Sequence, residues 1–110
     1  MAHADHQDIV TKAKENMPDA DTLFELADFF KVFSDSTRIR IMCALFEREL
    51  SVCCIADIVS MEQSTVSHQL RVLRQENLVK VRREGKQSYY SLEDEHIKLI
   101  FEMGLEHILE

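Results

Sequence analysis

The sequence is poor in the residues that turn and break a chain. Its 110 residues include two glycines, one proline and no tryptophan. A turn-rich β-sandwich needs more of the first two, so helices should dominate. No apolar run approaches the ~18 residues that cross a bilayer. The opening MAHADHQDIV lacks the basic-then-apolar order of a secretory signal. The chain is therefore expected in the cytosol, with no membrane partner. Cysteine is scarce. Cys43, Cys53 and Cys54 cannot all pair within one chain, and two of them are adjacent, so free thiols are expected. A Gly-rich phosphate loop and an HExxH pair are both missing. No catalytic role and no small organic substrate are expected.

What is present fits a globular chain: 45% hydrophobic and 30% charged residues. The length suits one domain. A domain this small buries only ~60–68% of its unfolded surface, and a dimer interface is a common way to bury more. The net charge of −7 argues at first against nucleic acid, but the charge is uneven. Residues 71–86 carry Arg71, Arg74, Lys80, Arg82, Arg83 and Lys86 against two acids, whereas residues 1–70 and 87–110 are net −6 and −5. Counterion release from nucleic acid depends on local charge, so the island is a candidate phosphate-binding surface. Taken alone it equally fits a solvated charged face.

Along the chain, residues 1–19 read as an N-terminal arm or short helix, and residues 20–110 as a single domain. Leu23, Phe24, Leu26, Ala27, Phe30, Val32 and Phe33 have helical spacing, with Asp21 as N-cap. Ser34-Asp35-Ser36 breaks that helix. Ile39, Ile41, Met42, Ala44, Leu45 and Phe46 form the next, and Cys43 falls within its core pattern. Ser51–Val59 is a short helix with Ile55, Ala56 and Ile58 apolar. Ser60-Met61-Glu62 is a tight connection, and Ser64–Gln75 is a second helix with Val66, Leu70 and Leu73 inward. This is a helix-turn-helix spacing. The outward side of the second helix carries Gln63, Ser64, Thr65, Ser67, His68 and Arg71, short polar groups suited to a major groove. Residues 78–83 alternate as a strand, Glu84-Gly85-Lys86 turn, and residues 87–92 return. The fold class is therefore mainly α with a small β-hairpin wing, a winged helix-turn-helix, its wing reaching backbone or minor groove.

The last segment, SLEDEHIKLIFEMGLEHILE, combines a helical apolar pattern with Asp94, His96, His107 and Glu110. Two imidazoles and two carboxylates suit zinc and related divalent metals. His96 and His107 are eleven residues apart, so they point the same way but lie roughly 16 Å apart along a helix. One metal spans ~4 Å between ligands. A single helix cannot close the site. An antiparallel copy can, placing Asp94 and His96 of one chain beside His107 and Glu110 of the other, twice by symmetry. Asp94 and His96 would diverge within a helix, so Asp94 must lie at its start. Four protein ligands leave no open position for a hydrolytic water.

With these blocks in hand, SDSTRIRIM, STVSHQLRVLRQENLVKVRREGKQSYYSL and D-x-H-x10-H-x-x-E, the chain resembles the ArsR/SmtB family of metal-sensing repressors over about residues 21–110. The resemblance implies a winged-helix homodimer on an inverted-repeat operator in double-stranded DNA. It also implies that metal binding lowers DNA affinity and derepresses efflux or sequestration genes. Ser64, Thr65, Ser67 and His68, with Gln63 at the start, match the family's DNA-reading helix. Arg82, Arg83 and Lys86 match the wing, and Asp94, His96, His107 and Glu110 match the ligands of its zinc sensors. A ligand histidine, His107, would be coupled to backbone at Asn77 through its second ring nitrogen.

One block departs from the pattern. The family's second metal site usually reads ELCVCDLA, and here the chain reads ELSVCCIA, with Ser51 in place of the first cysteine and Cys54 in place of the aspartate. Cys53 and Cys54 read first as small, partly buried residues. A thiol-based redox or thiophilic-metal sensor using this pair is an alternative. Another is a nickel or cobalt sensor in which the arm adds ligands: removal of Met1 would place the Ala2 amine beside His3, with Asp5 and His6 near. Zinc is the first expectation, with cobalt, nickel and cadmium open.

Overall fold

The computed structural model describes residues 5–110. Its backbone divides into two compact units, one ending at Phe30 and one spanning Lys31–Glu110. In the first unit, α1 runs His6–Asn16. The Asp5 side chain accepts from Gln7 N–H, Asp8 sits in the first turn and Lys14 in the last, so both ends match the helix dipole. No residue of α1 is buried.

The next helix, α2 (Ala20–Val32), begins one residue before the expected cap. Met17, forced into extended backbone ahead of Pro18, ends α1. Asp19 then caps α2, accepting from Thr22 N–H at 2.8 Å, and this bond holds its carboxyl below the usual carboxylate range. Asp21, expected as the cap, lies instead in the first turn. Leu23, Phe24 and Leu26 of α2 are exposed.

The second unit holds the rest of the fold. Asp35 caps α3 (Ser36–Ala44), accepting from Thr37 N–H at 2.8 Å. Then come β1 (Leu50–Ser51), α4 (Val52–Val59), α5 (Gln63–Gln75), β2 (Val79–Glu84), β3 (Gln87–Leu92) and α6 (Glu95–Leu109). Three residues join α4 to α5. Ser60 turns the chain with φ +58°, and Met61 N–H donates back to the Ala56 carbonyl. At the far end of α5, Asn77 takes φ +60°. Asn77 N–H donates to the Arg74 carbonyl and Leu78 N–H to that of Leu73, so a Schellman motif closes the helix around asparagine instead of glycine.

The sheet has the order β1-β3-β2, all antiparallel. Val79 faces Leu92 at the base of the wing and Glu84 faces Gln87 at its tip, leaving Gly85-Lys86 as a two-residue turn. Gly85 has φ +60° and open space around it, so backbone conformation and not crowding selects glycine there. The third strand, β1, pairs Leu50 with Tyr90 and Ser51 with Tyr89 and was not expected.

Ile41, Met42, Ile55, Val66, Leu70, Leu73, Leu78 and Val79 are the large side chains removed fully from solvent. They come from α3, α4, α5, the turn after it and the start of β2, so the helix-turn-helix carries its own core. Phe101 docks α6 against this unit, edge-on to Phe33 at 5.0 Å and Phe46 at 5.6 Å.

Three expectations on this unit are corrected. Cys43 is exposed, not a core residue, because α3 turns its neighbours Ile41 and Met42 inward. Its partly desolvated thiol is still pushed above the ordinary thiol range. Cys53 and Cys54 are also exposed, not partly buried, because α4 buries Ile55, Ala56 and Val59. Ile58 is exposed and Val59 takes the inward position.

Candidate nucleic-acid interface and metal half-sites

Residues facing out from α5 are arranged by what that helix buries. With Val66, Leu70 and Leu73 turned inward, Gln63, Ser64, Thr65, His68 and Arg71 are exposed and Ser67 is half-buried. Glu62, at the N-cap, makes no side-chain cap bond, so the first-turn N–H groups of α5 keep their capacity to donate. Two arginines of α3 brace the unit. Arg38 Nε donates to Gln69 Oε1 at 3.0 Å, tying α3 to α5, and Arg40 donates to the Val59 carbonyl at 2.6 Å, tying α3 to the end of α4. Sequence reasoning missed both roles. The signal was the RIR of SDSTRIRIM, two cations just ahead of the core pair Ile41 and Met42.

The wing cations differ in their surroundings. Arg82 is engaged inside the chain: its guanidinium pairs with Glu49 and with Glu84, each at 2.6 Å, and lies 4.8 Å over the Tyr89 ring. The two carboxylates raise its already high pKa, and Arg82 in turn holds the Glu49 carboxyl below its usual range. Among the described residues Arg83 makes only a neutral bond, Nη1 donating to Ser88 Oγ at 3.2 Å. Lys86 stands exposed in the turn. Among the described residues Arg83 and Lys86 are thus uncompensated cations, and Arg82 is a compensated one.

On α6, Asp94 is the N-cap, as its separation from His96 requires, and accepts from Ile97 N–H at 3.2 Å. His96 Nδ1 lies 3.6 Å from Asp94 Oδ1. At the other end His107 Nδ1 lies 4.0 Å from Glu110 Oε1. Each pair falls within the ~4 Å that two donors on one ion span. Among the described residues no group of three or more His, Cys, Asp or Glu side chains comes together. The four candidate ligands are therefore two pairs at opposite ends of one helix. His96 and His107 are strongly exposed, at 87% and 82% of the side chain. Asn77 sits in the left-handed turn that ends α5. Of the arm residues, Asp5 caps α1 and His6 begins it, and Ala2 and His3 lie outside the described residues.

A helix-turn-helix with its own core, followed by a two-stranded wing, defines a winged-helix regulator of transcription. Comparison with known proteins narrows the class. Residues 35–81 match the family model described as bacterial regulatory protein, arsR family. The chain is 38% identical over 105 residues to a Synechocystis protein named transcriptional repressor SmtB homolog, covering 96% of this chain and 80% of the relative. It is 41% identical over 103 residues to a Staphylococcus aureus protein named cadmium resistance transcriptional regulatory protein CadC homolog, covering 93% and 84%. It is similar in structure to the homodimeric winged helix-turn-helix DNA-binding domain of a possible ArsR-family regulator from Mycobacterium bovis. There the TM-score is 0.73 at 27% identity, covering 96% of this chain and 87% of that one. The chain belongs to the ArsR family of bacterial transcriptional regulators, which are not enzymes. No described helix is long and apolar enough to cross a membrane.

Proposed function

We propose that the protein is a homodimeric, metal-responsive transcriptional repressor with zinc as its inducer. The apo dimer binds an inverted-repeat operator through α5 and the wing, and metal held between the two chains lowers that affinity. The observation that carries this reading is the split donor set of α6. Asp94 with His96, and His107 with Glu110, are each close enough to share an ion, and the helix keeps the two pairs apart. The donor chemistry fits zinc: two imidazole nitrogens and two carboxylate oxygens make a complete four-coordinate set. The Asp94 oxygen that caps α6, Oδ1, is also the one 3.6 Å from His96 Nδ1, and a carboxylate keeps further lone pairs for an ion.

A second copy also answers the exposed apolar face of α6. Leu99, Ile100 and Met103 lie on the side of α6 that carries His96 and His107 and are 48%, 36% and 67% exposed in the single chain, more than a soluble monomer ordinarily presents on one helix. An antiparallel pairing of two such helices covers these side chains and brings each histidine end to the other chain's aspartate end. The ring N–H that His107 keeps when it ligates is available to a backbone carbonyl near Asn77, which ties the metal to the end of the recognition helix. A coupling of ~1–3 kcal/mol corresponds to a ~5–150-fold change in operator affinity.

The test uses an operator duplex selected by the apo protein from a random-sequence pool. Zinc, cobalt, nickel and cadmium are each titrated into the complex, and zinc should release it at the lowest free concentration. His107→Ala should bind the same duplex and fail to respond. A parent-like zinc response from that variant would refute the ligand assignment. The exposure of Cys53 and Cys54 keeps a thiol reading on the same fold, redox or thiophilic metal. Cys53→Ser with Cys54→Ser would then abolish the response and leave zinc binding intact.

A further inference from the structure

Between α5 and the wing lies a cleft of about 260 Å³ whose lining includes Ser67, Arg71, Arg74, Arg83, Ser88 and Tyr90, with no acidic residue among its walls. Ser67, Arg71 and Arg74 are spaced i, i+4 and i+7, so they form one stripe along α5. Arg83 and Ser88 face each other across β2 and β3. Among the described residues Arg71 and Arg74 have no ion pair and no side-chain hydrogen bond, and Arg83 has only the neutral bond to Ser88. The contrast with Arg82, three positions from the turn and held by two carboxylates, is direct. Elsewhere on the wing the chain neutralises its arginine. In this cleft it converges three guanidinium groups and supplies no counter-charge.

We infer that this cleft is a phosphate clamp: Arg74, with Arg71 and Arg83, grips a backbone phosphodiester of duplex DNA and fixes where the wing meets the strand relative to α5. Guanidinium groups present paired N–H donors that match phosphate oxygens, and the hydroxyls of Ser67 and Ser88 add neutral donors at the walls. The clamp rests on the DNA-binding reading above and adds Arg74, which neither α5's base-facing side nor the wing tip includes. Because a phosphate contact carries no sequence information, Arg74 is a positioning residue that acts equally on every duplex.

Its test reads salt dependence on a labelled random-sequence duplex, by fluorescence anisotropy from about 50 to 200 mM NaCl. Arg74→Ala should weaken binding roughly tenfold at fixed salt, and flatten the slope of log affinity against log salt by about 0.9, the increment for one phosphate contact. Arg74→Lys should restore the slope. Arg48→Ala, a basic residue outside the cleft, should not change it. A second measurement needs no variant: the side-chain Nε–Hε signals of Arg74 and Arg83 should move on adding duplex and stay put with inorganic phosphate at equal ionic strength. If the parent binds duplex with strong salt dependence and Arg74→Ala has the same slope, the clamp is wrong and the DNA reading stands. If the parent binds no duplex at any salt, both fall. If inorganic phosphate alone moves those signals, the cleft holds a free anion and the duplex assignment is overturned.

Discussion

Helices α5 and α6 are close in length, thirteen and fifteen residues, and both carry helical apolar patterns, yet one is finished and the other is not. Along α5, Val66, Leu70 and Leu73 are at zero exposure and the polar residues face out. Along α6, only Ile97 is buried, while Leu99, Met103, Leu105, Ile108 and Leu109 are all about half exposed or more. The same division runs through the charged groups. Arg71 and Arg74 of α5 and Arg83 of the wing line one cleft within one chain, whereas the α6 donors form two separate pairs. A single chain completes the packing of α5 and, on the function proposed above, leaves the metal site of α6 half made. That is a way to make response depend on assembly, since a metal that needs both chains acts on the geometry between them.

The strongest way to break this contrast is to stop α6 from pairing. Ile100→Asp with Met103→Asp places charges on the exposed apolar face. We expect a monomer by sedimentation equilibrium, with binding to an inverted-repeat duplex weakened about 10²–10⁴-fold as the two half-sites lose their linkage. The helical far-ultraviolet signal and slow amide exchange of Leu70 and Leu73 should persist, because their burial lies within one chain. Loss of that protection would show that the reading unit also depends on the partner.

A smaller effect sharpens the same contrast inside the monomeric variant. Leu70→Ala should lower its unfolding free energy by about 2–5 kcal/mol, the cost of emptying a buried leucine site. Leu99→Ala, on the exposed side of α6, should change it by about 0.5 kcal/mol or less. Urea unfolding of the two variants measures the difference, and near-equal costs would mean that α6 is packed in the monomer.

How much of this was legible in the sequence follows from how local each determinant is. The helix-turn-helix was readable because Val66, Leu70 and Leu73 repeat at helical spacing and the turn is only three residues. Asp94 at the start of α6 was readable because a residue two positions from His96 must leave the helix to share its direction. Two-residue β1 was not readable, since a pairing that short has no periodicity of its own. Ser51 reads as a lost cysteine beside the family pattern. In the fold it belongs to β1 and caps α4, accepting from Cys54 N–H at 3.3 Å. Cys43 was misplaced because helical spacing gives a face only to within one residue, and α3 turns Ile41 and Met42 inward instead. Arg82 could not be told from Arg83 by sequence. What distinguishes them is Glu49, thirty-three residues away in the chain and bonded to Arg82 only once β1 is in the sheet.

That long-range pair yields the smallest effect, and one with a definite sign in pH. Arg82 donates to both oxygens of Glu49, and this depresses the Glu49 carboxyl below its ordinary value of 4.5. A depressed carboxylate contributes stability that is fully present above the unfolded pKa and is lost as pH falls through the folded one. Both partners are substantially exposed, at 50% and 40% of the side chain, so the contribution is small and weakened by salt. Glu49→Gln should therefore melt slightly below the parent at neutral pH and low salt. The two curves should converge as pH is lowered below 4.5, and added salt should narrow the gap at neutral pH. A gap unchanged at low pH would mean that Glu49 acts through shape and not through charge. The wing would then owe its position to β1 pairing alone, and Glu84 would be the carboxylate that still compensates Arg82.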